Sequence, residues 1–203
     1  KAGNGRVEIA LTDGGTLSAA QVNDLSVAGT ANCYVVSAPG TYVFNARVRG
    51  NGAGEGVGFE PAIEMADGMT ADWLWTDSEG LVSGVALDTT SGDIFLTVGE
   101  GRGNALVALM QDGKVVWSWH VWVTDAPQTM TYGNGTVFMD RNLGAAGTTA
   151  GGTDAYGMYY QWGRKDPFYG GEKTETSANA FLEAKNGTVV NPAYPALDWA
   201  FSK

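Results

Sequence analysis

Short apolar runs alternate with turn residues along the first 125 residues of the chain. Each run spans six to ten residues and is rich in β-branched and aromatic side chains, which is typical of strands rather than helices. We predict strands at 6–11, 33–38, 41–48, 72–77, 84–89, 93–98, 105–110 and 114–123. Seven or eight short strands separated by Gly, Asp and Pro turns predict a mainly β protein, an antiparallel β-sandwich of immunoglobulin-like type.

The residues between the runs indicate how the strands are joined. Asp112-Gly113 separates the last two predicted strands, and this dipeptide favours a two-residue hairpin turn. Residues 88–93 have the composition of a second hairpin turn, and Pro39-Gly40 that of a tight turn.

The strand at 114–123 predicts one face of the core. Alternate side chains of a strand point to opposite faces. The apolar face, which we expect inside the sandwich, consists of Val115, Trp117, Trp119, Val121 and Val123. The other face, which we expect to be partly exposed or covered by a neighbouring element, carries Val116, Ser118, His120 and Trp122.

The pattern changes after Val123, and we divide the chain there into two domains. Residues 1–125 form the sandwich domain, and residues 126–136, with Pro127 and a Gly-Asn-Gly turn, are predicted to be a linker. Residues 137–203 contain one strand and turn, a Gly- and Thr-rich loop at 146–155 and a polar tail. Because so few apolar residues make a marginal core, we expect this second domain to be truncated or to lean on the first.

Aromatic and charged side chains are concentrated in the segment GMYYQWGRKDPF at 157–168. If residues 158–162 are helical, Met158 and Trp162 share a face and pack as core, and the helix ends before Pro167. Alternatively, the rings form a platform on which sugars stack, with polar neighbours bonding the hydroxyl groups. The ligand-binding residues would then be Tyr159, Tyr160, Trp162, Arg164 and Asp166. We favour the core helix, in which Arg164, Lys165 and Asp166 are candidates for ion pairs among themselves.

Charge and hydropathy restrict the function classes. The net charge is −10, with 22 acidic against 12 basic residues, and no cluster of Lys and Arg suits nucleic acid. No stretch reaches the roughly 18–20 apolar residues that a membrane helix requires. The chain begins without Met, and we expect a processed product or a fragment whose targeting segment is missing.

Few residues carry recognisable chemistry, and we expect no catalytic residue, metal site or cofactor. Cys33 is the single cysteine, and its apolar flanks predict a buried, unreactive thiol. His120 is the single histidine and is predicted to be structural. Asp140-Arg141 predicts an ion pair that fixes a loop, and the acids between residues 67 and 100 are predicted to be solvated turn residues. Paired acids leave a glycoside hydrolase fragment as a remote alternative.

Two pairs of segments resemble known families. Residues 31–52 and 103–125 resemble the β-sandwich module of Bacteroidetes surface proteins, including fimbrillin-like adhesion proteins and outer-membrane lipoproteins. VFMDRNLGA at 137–145, followed by YGMYYQWGRKDPF at 156–168, resembles the opening of the Fibrobacter succinogenes major paralogous domain. That domain is related to the C-type-lectin-like fold, so the resemblance implies a partial α+β lectin-like domain after the sandwich.

The resemblance also implies a function. It points to a non-enzymatic adhesion protein or fimbrial tip-like protein, secreted to the cell surface on the outer membrane or a fimbria, with membrane attachment only through a lipid anchor that is missing from this sequence. Its partners would be a host glycan, a host protein, or neighbouring pilus subunits joined by strand addition. A glycan-binding accessory lipoprotein of a polysaccharide-uptake system is the alternative. The oxidase chemistry of formylglycine-generating relatives needs reactive cysteines, and Cys33 lies in the other domain.

Overall fold

The computed structural model describes residues 21–52, 62–160 and 165–167, and the backbone of 183–184. Within these ranges the chain is mainly β, with one short 3₁₀ helix at Thr153–Ala155. The strands are β1 Val22–Asp24, β2 Cys33–Val36, β3 Gly40–Asn45, β4 Met69–Thr76, β5 Val82–Asp88, β6 Asp93–Val98, β7 Gly103–Gln111, β8 Lys114–Val123, β9 Thr129–Thr131, β10 Val137–Met139 and β11 Glu183–Ala184. The strand predicted at 6–11 lies outside the described residues.

The strands form two main sheets that do not close on themselves. The first sheet has the order β1-β3-β6-β5, and the second has the order β11-β4-β7-β8-β2. Most neighbours are antiparallel, whereas β1 with β3 and β2 with β8 are parallel. Both sheets contribute side chains to one core, so the prediction of a mainly β, sandwich-like architecture is confirmed.

The core lies between the inner faces of the two sheets. Phe44 and Leu96 enter it from the first sheet, and Trp117 and Trp119 from the second, all with no exposed surface. The rings of Phe44 and Trp119 lie 5.1 Å apart between centroids, a tilted contact that adds about 0.5–1.5 kcal/mol to their burial. The prediction that both indoles are hidden is therefore confirmed.

One β-bulge near the start of β8 breaks the predicted alternation. Trp117 pairs with Leu109 and Val115 pairs with Met110, so Val116 is an extra residue in β8. As a result Val116 packs against the main core, whereas Val115 packs with Met110 in a second cluster on the outer face. The prediction that Val115 shares the face of Trp117 was wrong, because a strict two-residue period has no place for a bulge.

The predicted hairpin turns are present. Asp112 and Gly113 both have positive φ angles, of 51° and 73°, as the turn between β7 and β8 requires. Residues 89–92 connect β5 to β6, and the Asp88 carboxylate accepts hydrogen bonds from the backbone N–H groups of Thr90 and Ser91. The Pro39 connection instead carries the chain from the second sheet to the first.

The segment that follows β8 covers the outer face of the second sheet. Met158 packs there against the second apolar cluster, and the Trp122 indole N–H donates to the Ala145 carbonyl at 2.9 Å. The predicted linker at 126–136 contains β9, which pairs with β10, so it is not wholly irregular as predicted. Three residues are too short a run for their alternation to be recognised.

Candidate functional site

A set of buried polar side chains lies on the outer face of the second sheet. The register of the sheet brings them together, because Cys33 on β2 lies opposite His120 on β8, and Asn104 on β7 lies two pairs further along. The segment after β8 then adds further groups from above. We call this set the outer-face network, and it comprises Cys33, Asp77, Asn104, Ser118, His120, Lys165 and Asp166.

The centre of the network is His120, whose tautomer is assigned by its neighbours. Asn104 Nδ2 donates to Asp77 Oδ2 at 2.8 Å and to the Gly144 carbonyl at 2.9 Å, which leaves Asn104 Oδ1 as an acceptor. His120 Nε2 lies 2.8 Å from that oxygen and therefore carries the proton that it donates. His120 Nδ1 is then an acceptor, and the Cys33 thiol lies 3.3 Å from it.

Cys33 differs from its prediction, because the residue is exposed rather than buried. Tyr34 and Val36 point into the core, so Cys33 takes the outward face of β2, the last strand of its sheet. One side of Cys33 is thus open to solvent, while its sulfur rests on the buried imidazole. Burial on that side raises the pKa of the Cys33 thiol to about 12, with a smaller contribution from the negative charge of Asp166.

A buried ion pair joins the later segment to the edge of β8. Lys165 Nζ lies 2.6 Å from Asp166 Oδ1 and donates to Ser118 at both its carbonyl, 2.8 Å, and its hydroxyl, 2.6 Å. The Ser118 hydroxyl in turn donates to Asp166 Oδ2 at 2.5 Å, and Lys165 Nζ lies 4.6 Å from the centre of the Trp117 ring. We call Ser118, Lys165 and Asp166 the clamp. It confirms the pairing predicted for Lys165 and Asp166, while Arg164 lies outside the described residues.

The Cys33 thiol and the His120 ring are both neutral at physiological pH. Burial lowers the pKa of His120 to about 4, which outweighs the opposing effect of Asp166 and is reinforced by Lys165. Burial likewise raises the pKa of Tyr160, and Cys33 and Asp166 act in the same direction. Moving the Cys33 proton to His120 is therefore uphill by on the order of 10 kcal/mol, so the described pair is not a ready-made cysteine nucleophile.

The residues predicted to bind a ligand are found in different surroundings. Tyr159 and Tyr160 are 54% and 39% exposed, so their rings are accessible. Asp166 is 1% exposed and its carboxylate is engaged in the clamp, in agreement with the ion pair expected of the core interpretation; its contact with a ligand stays a prediction. Trp162 and Arg164 lie outside the described residues.

The helix predicted for residues 158–162 is not formed in its described part, 158–160. The backbone N–H of Met158 donates to the Leu143 carbonyl at 2.8 Å, and Tyr159 forms an isolated β-bridge. The spacing of the aromatic residues is compatible with a helix, but the backbone at 158–160 instead contacts a residue 15 positions earlier. Residues 161 and 162 of the predicted helix lie outside the described residues.

A second cluster of charges fixes the start of the covering segment. The Arg141 side chain is 2% exposed and makes paired contacts with Asp140, at 2.8 and 2.9 Å, and with Asp125, at 3.1 and 3.2 Å. The hydrogen bonds from Arg141 lower the pKa of Asp125 to about 2. The predicted Asp140-Arg141 pair is confirmed, and Asp125 at the end of the sandwich extends it.

The β9–β10 hairpin presents a set of large apolar side chains to solvent. We call it the apolar hairpin; its exposed residues are Met130, Tyr132, Val137, Phe138 and Met139, at 62%, 53%, 58%, 57% and 40%. Beside it lies a groove of about 630 Å³, lined on one side by residues 137–143 and on the other by 147–151.

No local pattern in the sequence identifies two of the network residues, Asp77 and Asn104. Asp77 was predicted to be a solvated turn residue, yet it is 3% exposed and accepts from the backbone and side chain of Asn104. Asn104 lies 27 residues away from it, in a run that reads as an ordinary strand. Only their pairing in the folded sheet brings the two together.

Across the described ranges, no three His, Cys, Asp or Glu side chains are grouped so that they could hold a metal ion. No helix in the same ranges is long and apolar enough to cross a membrane.

Three comparisons with known proteins gave no match. No protein-family model, no curated protein and no solved structure is detectably similar to the chain.

Proposed function

We propose that this chain is a non-enzymatic, cell-surface adhesion or fimbrial tip-like protein. In this proposal the sandwich, of immunoglobulin-like type, is a stalk, and a partial lectin-like domain from residue 137 onward carries the contact surface. The protein would be secreted and held on the outer membrane or a fimbria. The observation that carries the proposal is the apolar hairpin.

The apolar hairpin has the properties of a binding surface. Met130 and Phe138 are paired across the two strands, so they share one face, whereas Val137 and Met139 point to the other. A two-stranded ribbon of this kind has little stability of its own in water. Large apolar side chains exposed on both faces therefore favour burial against another molecule.

The backbone of the hairpin favours an extended partner. In the part of the chain that the structure describes, β9 and β10 form ladders only with each other. Their outer edges can therefore accept a strand from a neighbouring pilus subunit or a host protein, with the apolar side chains adding affinity. The neutral thiol and imidazole of the outer-face network support a non-enzymatic function.

Adhesion of protein-coated fluorescent beads tests this proposal. Beads carrying the full chain would be applied to epithelial cells, to immobilised matrix proteins and to immobilised copies of the same chain. Phe138→Ser removes a ring that is 57% exposed, and Val27→Ser, at a valine that is 81% exposed outside the hairpin, is the matched control. We expect Phe138→Ser to reduce bead retention severalfold on one of these surfaces and Val27→Ser to leave it unchanged. Equal retention of both variants on every surface would contradict the proposal.

A second candidate function is a glycan-binding accessory lipoprotein of a polysaccharide-uptake system. Tyr159 and Tyr160 are adjacent, accessible rings, and aromatic faces of this kind stack on sugars. Calorimetric titration with soluble polysaccharides separates the two functions. Tyr159→Ala should abolish glycan binding, whereas Tyr132→Ala, at a tyrosine of similar exposure on the apolar hairpin, should not. Binding that both variants retain would argue against the tyrosine platform.

A further inference from the structure

We propose that Cys33, His120 and Asn104 form a thiol-modification site for small disulfides, and that the clamp holds this site inactive. The site lies on the sandwich, away from the apolar hairpin, and its function does not depend on adhesion. Cys33 is the nucleophile, His120 accepts its proton, and Asn104 is a positioning residue that acts through His120.

Cys33, His120 and Asn104 are arranged as the proposed site requires. Three strands supply the three groups, with 3.3 Å between Cys33 Sγ and His120 Nδ1 and 2.8 Å between His120 Nε2 and Asn104 Oδ1. A nucleophile, a base and a group that orients the base are the parts that an activated thiol requires. Asn104 is itself held by Asp77 and by the Gly144 carbonyl, so it presents only its oxygen to His120.

Cys33 and His120 differ in their exposure to solvent. Cys33 is exposed on the outer face of β2, so a small disulfide can approach the residue from its open side, while burial on the other side of the sulfur slows the reaction. His120 is 2% exposed, so water does not compete for the ring nitrogen that faces the thiol. The arrangement therefore combines an open nucleophile with a shielded base.

The clamp controls the reactivity of the Cys33 thiol. Asp166 places a negative charge near the thiol, which opposes formation of a thiolate, and the same charge acts on His120 and Tyr160. Lys165 and Asp166 are hydrogen-bonded to Ser118, which lies on the same face of β8 as His120 and two residues before it. Release of Lys165 and Asp166 would remove the negative charge and open the face beside His120 to water. Both changes favour the thiolate.

The reaction is a thiol–disulfide exchange. The S–H proton of Cys33 passes to His120 Nδ1 as the sulfur attacks one sulfur of the disulfide. The new S–S bond forms as the old one breaks, and the departing thiolate takes the proton from His120. One disulfide and one thiol are consumed, and one mixed disulfide and one free thiol are produced, so no other oxidant is needed.

The expected effect follows from the thiolate population. A thiol pKa of about 12 in place of 9.0 lowers the thiolate fraction by about a thousandfold, and the greater intrinsic reactivity of the more basic sulfur restores part of this. The closed site should therefore react about 30-fold more slowly than an ordinary cysteine. Opening the clamp should recover part of that factor, namely the part that the charge of Asp166 contributes.

The test is the rate of reaction of the full chain with 4,4′-dithiodipyridine at pH 7.5, followed by the absorbance of the released thiopyridone. A peptide spanning residues 29–37 is the reference for an ordinary cysteine, and mass spectrometry confirms the site. We expect the native chain to react about 30-fold more slowly than the peptide. Asp166→Asn should be severalfold faster than the native chain but slower than the peptide, because burial contributes more than Asp166 to the raised pKa of the thiol. Asp140→Asn, at a carboxylate outside the network, should match the native chain.

Further variants separate the role of the base from simple exposure. In the Asp166→Asn background, His120→Gln should lower the rate again, because glutamine keeps a donor for Asn104 but accepts no proton. Ser118→Ala opens the clamp without changing a charge and serves if Asp166→Asn does not fold, as judged by circular dichroism. A native chain as fast as the peptide would overturn the proposal. So would folded clamp variants that match the native rate, or a His120→Gln substitution that has no effect.

Discussion

Substituting His120 with glutamine should flatten the acid side of the stability curve of this protein. His120 is 2% exposed, and burial lowers its pKa from 6.5 to about 4. Its ring is held neutral between the Cys33 thiol and the Asn104 amide oxygen. Unfolding exposes the ring to water, where it takes up a proton at ordinary acidity.

The sign and size of the effect follow from proton linkage. Between about pH 6.5 and pH 4 the unfolded chain binds a proton at His120 that the folded chain does not, so the free energy of unfolding falls as the pH falls. The contribution is fully present above pH 6.5 and is lost by about pH 4, for a total of about 3 kcal/mol. That is a large share of the 5–15 kcal/mol typical of a folded domain.

Urea denaturation of the native chain and of His120→Gln at pH 7, 6, 5 and 4 measures the effect. The difference between the two curves isolates His120 from the carboxylates, which also titrate at the acid end. The native chain should lose about 3 kcal/mol more than the variant between pH 7 and pH 4. Because the chain has a single histidine, an untagged sample also allows NMR titration of that ring without ambiguity. Parallel stability curves, or a ring that titrates near pH 6.5 in the folded state, would refute the reasoning.

Two other predictions concern the segment that covers the second sheet. Gly144→Ala should destabilise the protein more than Gly151→Ala, as measured by thermal unfolding. Both glycines have positive φ, but an added Cβ at Gly144 collides with Met158, whereas one at Gly151 meets no other atom within 4 Å. Equal losses would show that backbone conformation alone decides the cost. Arg141→Lys should lower the melting temperature by several degrees, because the Arg141 side chain is 2% exposed and pairs with two carboxylates. Arg102→Lys should hardly change it, because the side chains of Arg102 and its partner Asp125 are 55% and 51% exposed. Similar shifts for the two variants would contradict the structural role given to the buried Arg141 ion pairs.

The sequence alone determined the parts of this protein that depend on neighbouring residues. Alternation of apolar and polar positions located β8 at 114–123 and β6 at 93–98, and Asp112-Gly113 identified the hairpin that follows β7. Asp140-Arg141 was recognised as an ion pair because its two residues are adjacent. In each case the interaction that decides the structure acts over a few residues, so the local sequence pattern predicts it.

Only the tertiary structure decided what lies on the outer face of the second sheet. Cys33 meets His120 across 87 residues of chain, and Lys165 meets Ser118 across 47. Whether His120 is solvated or buried depends on which distant segment covers it, and no property of its own strand encodes that choice. The bulge at Val116 was likewise set by pairing with the distant strand β7. That pairing overrides the local period because an unpaired buried N–H or C=O group costs more than a shift in register.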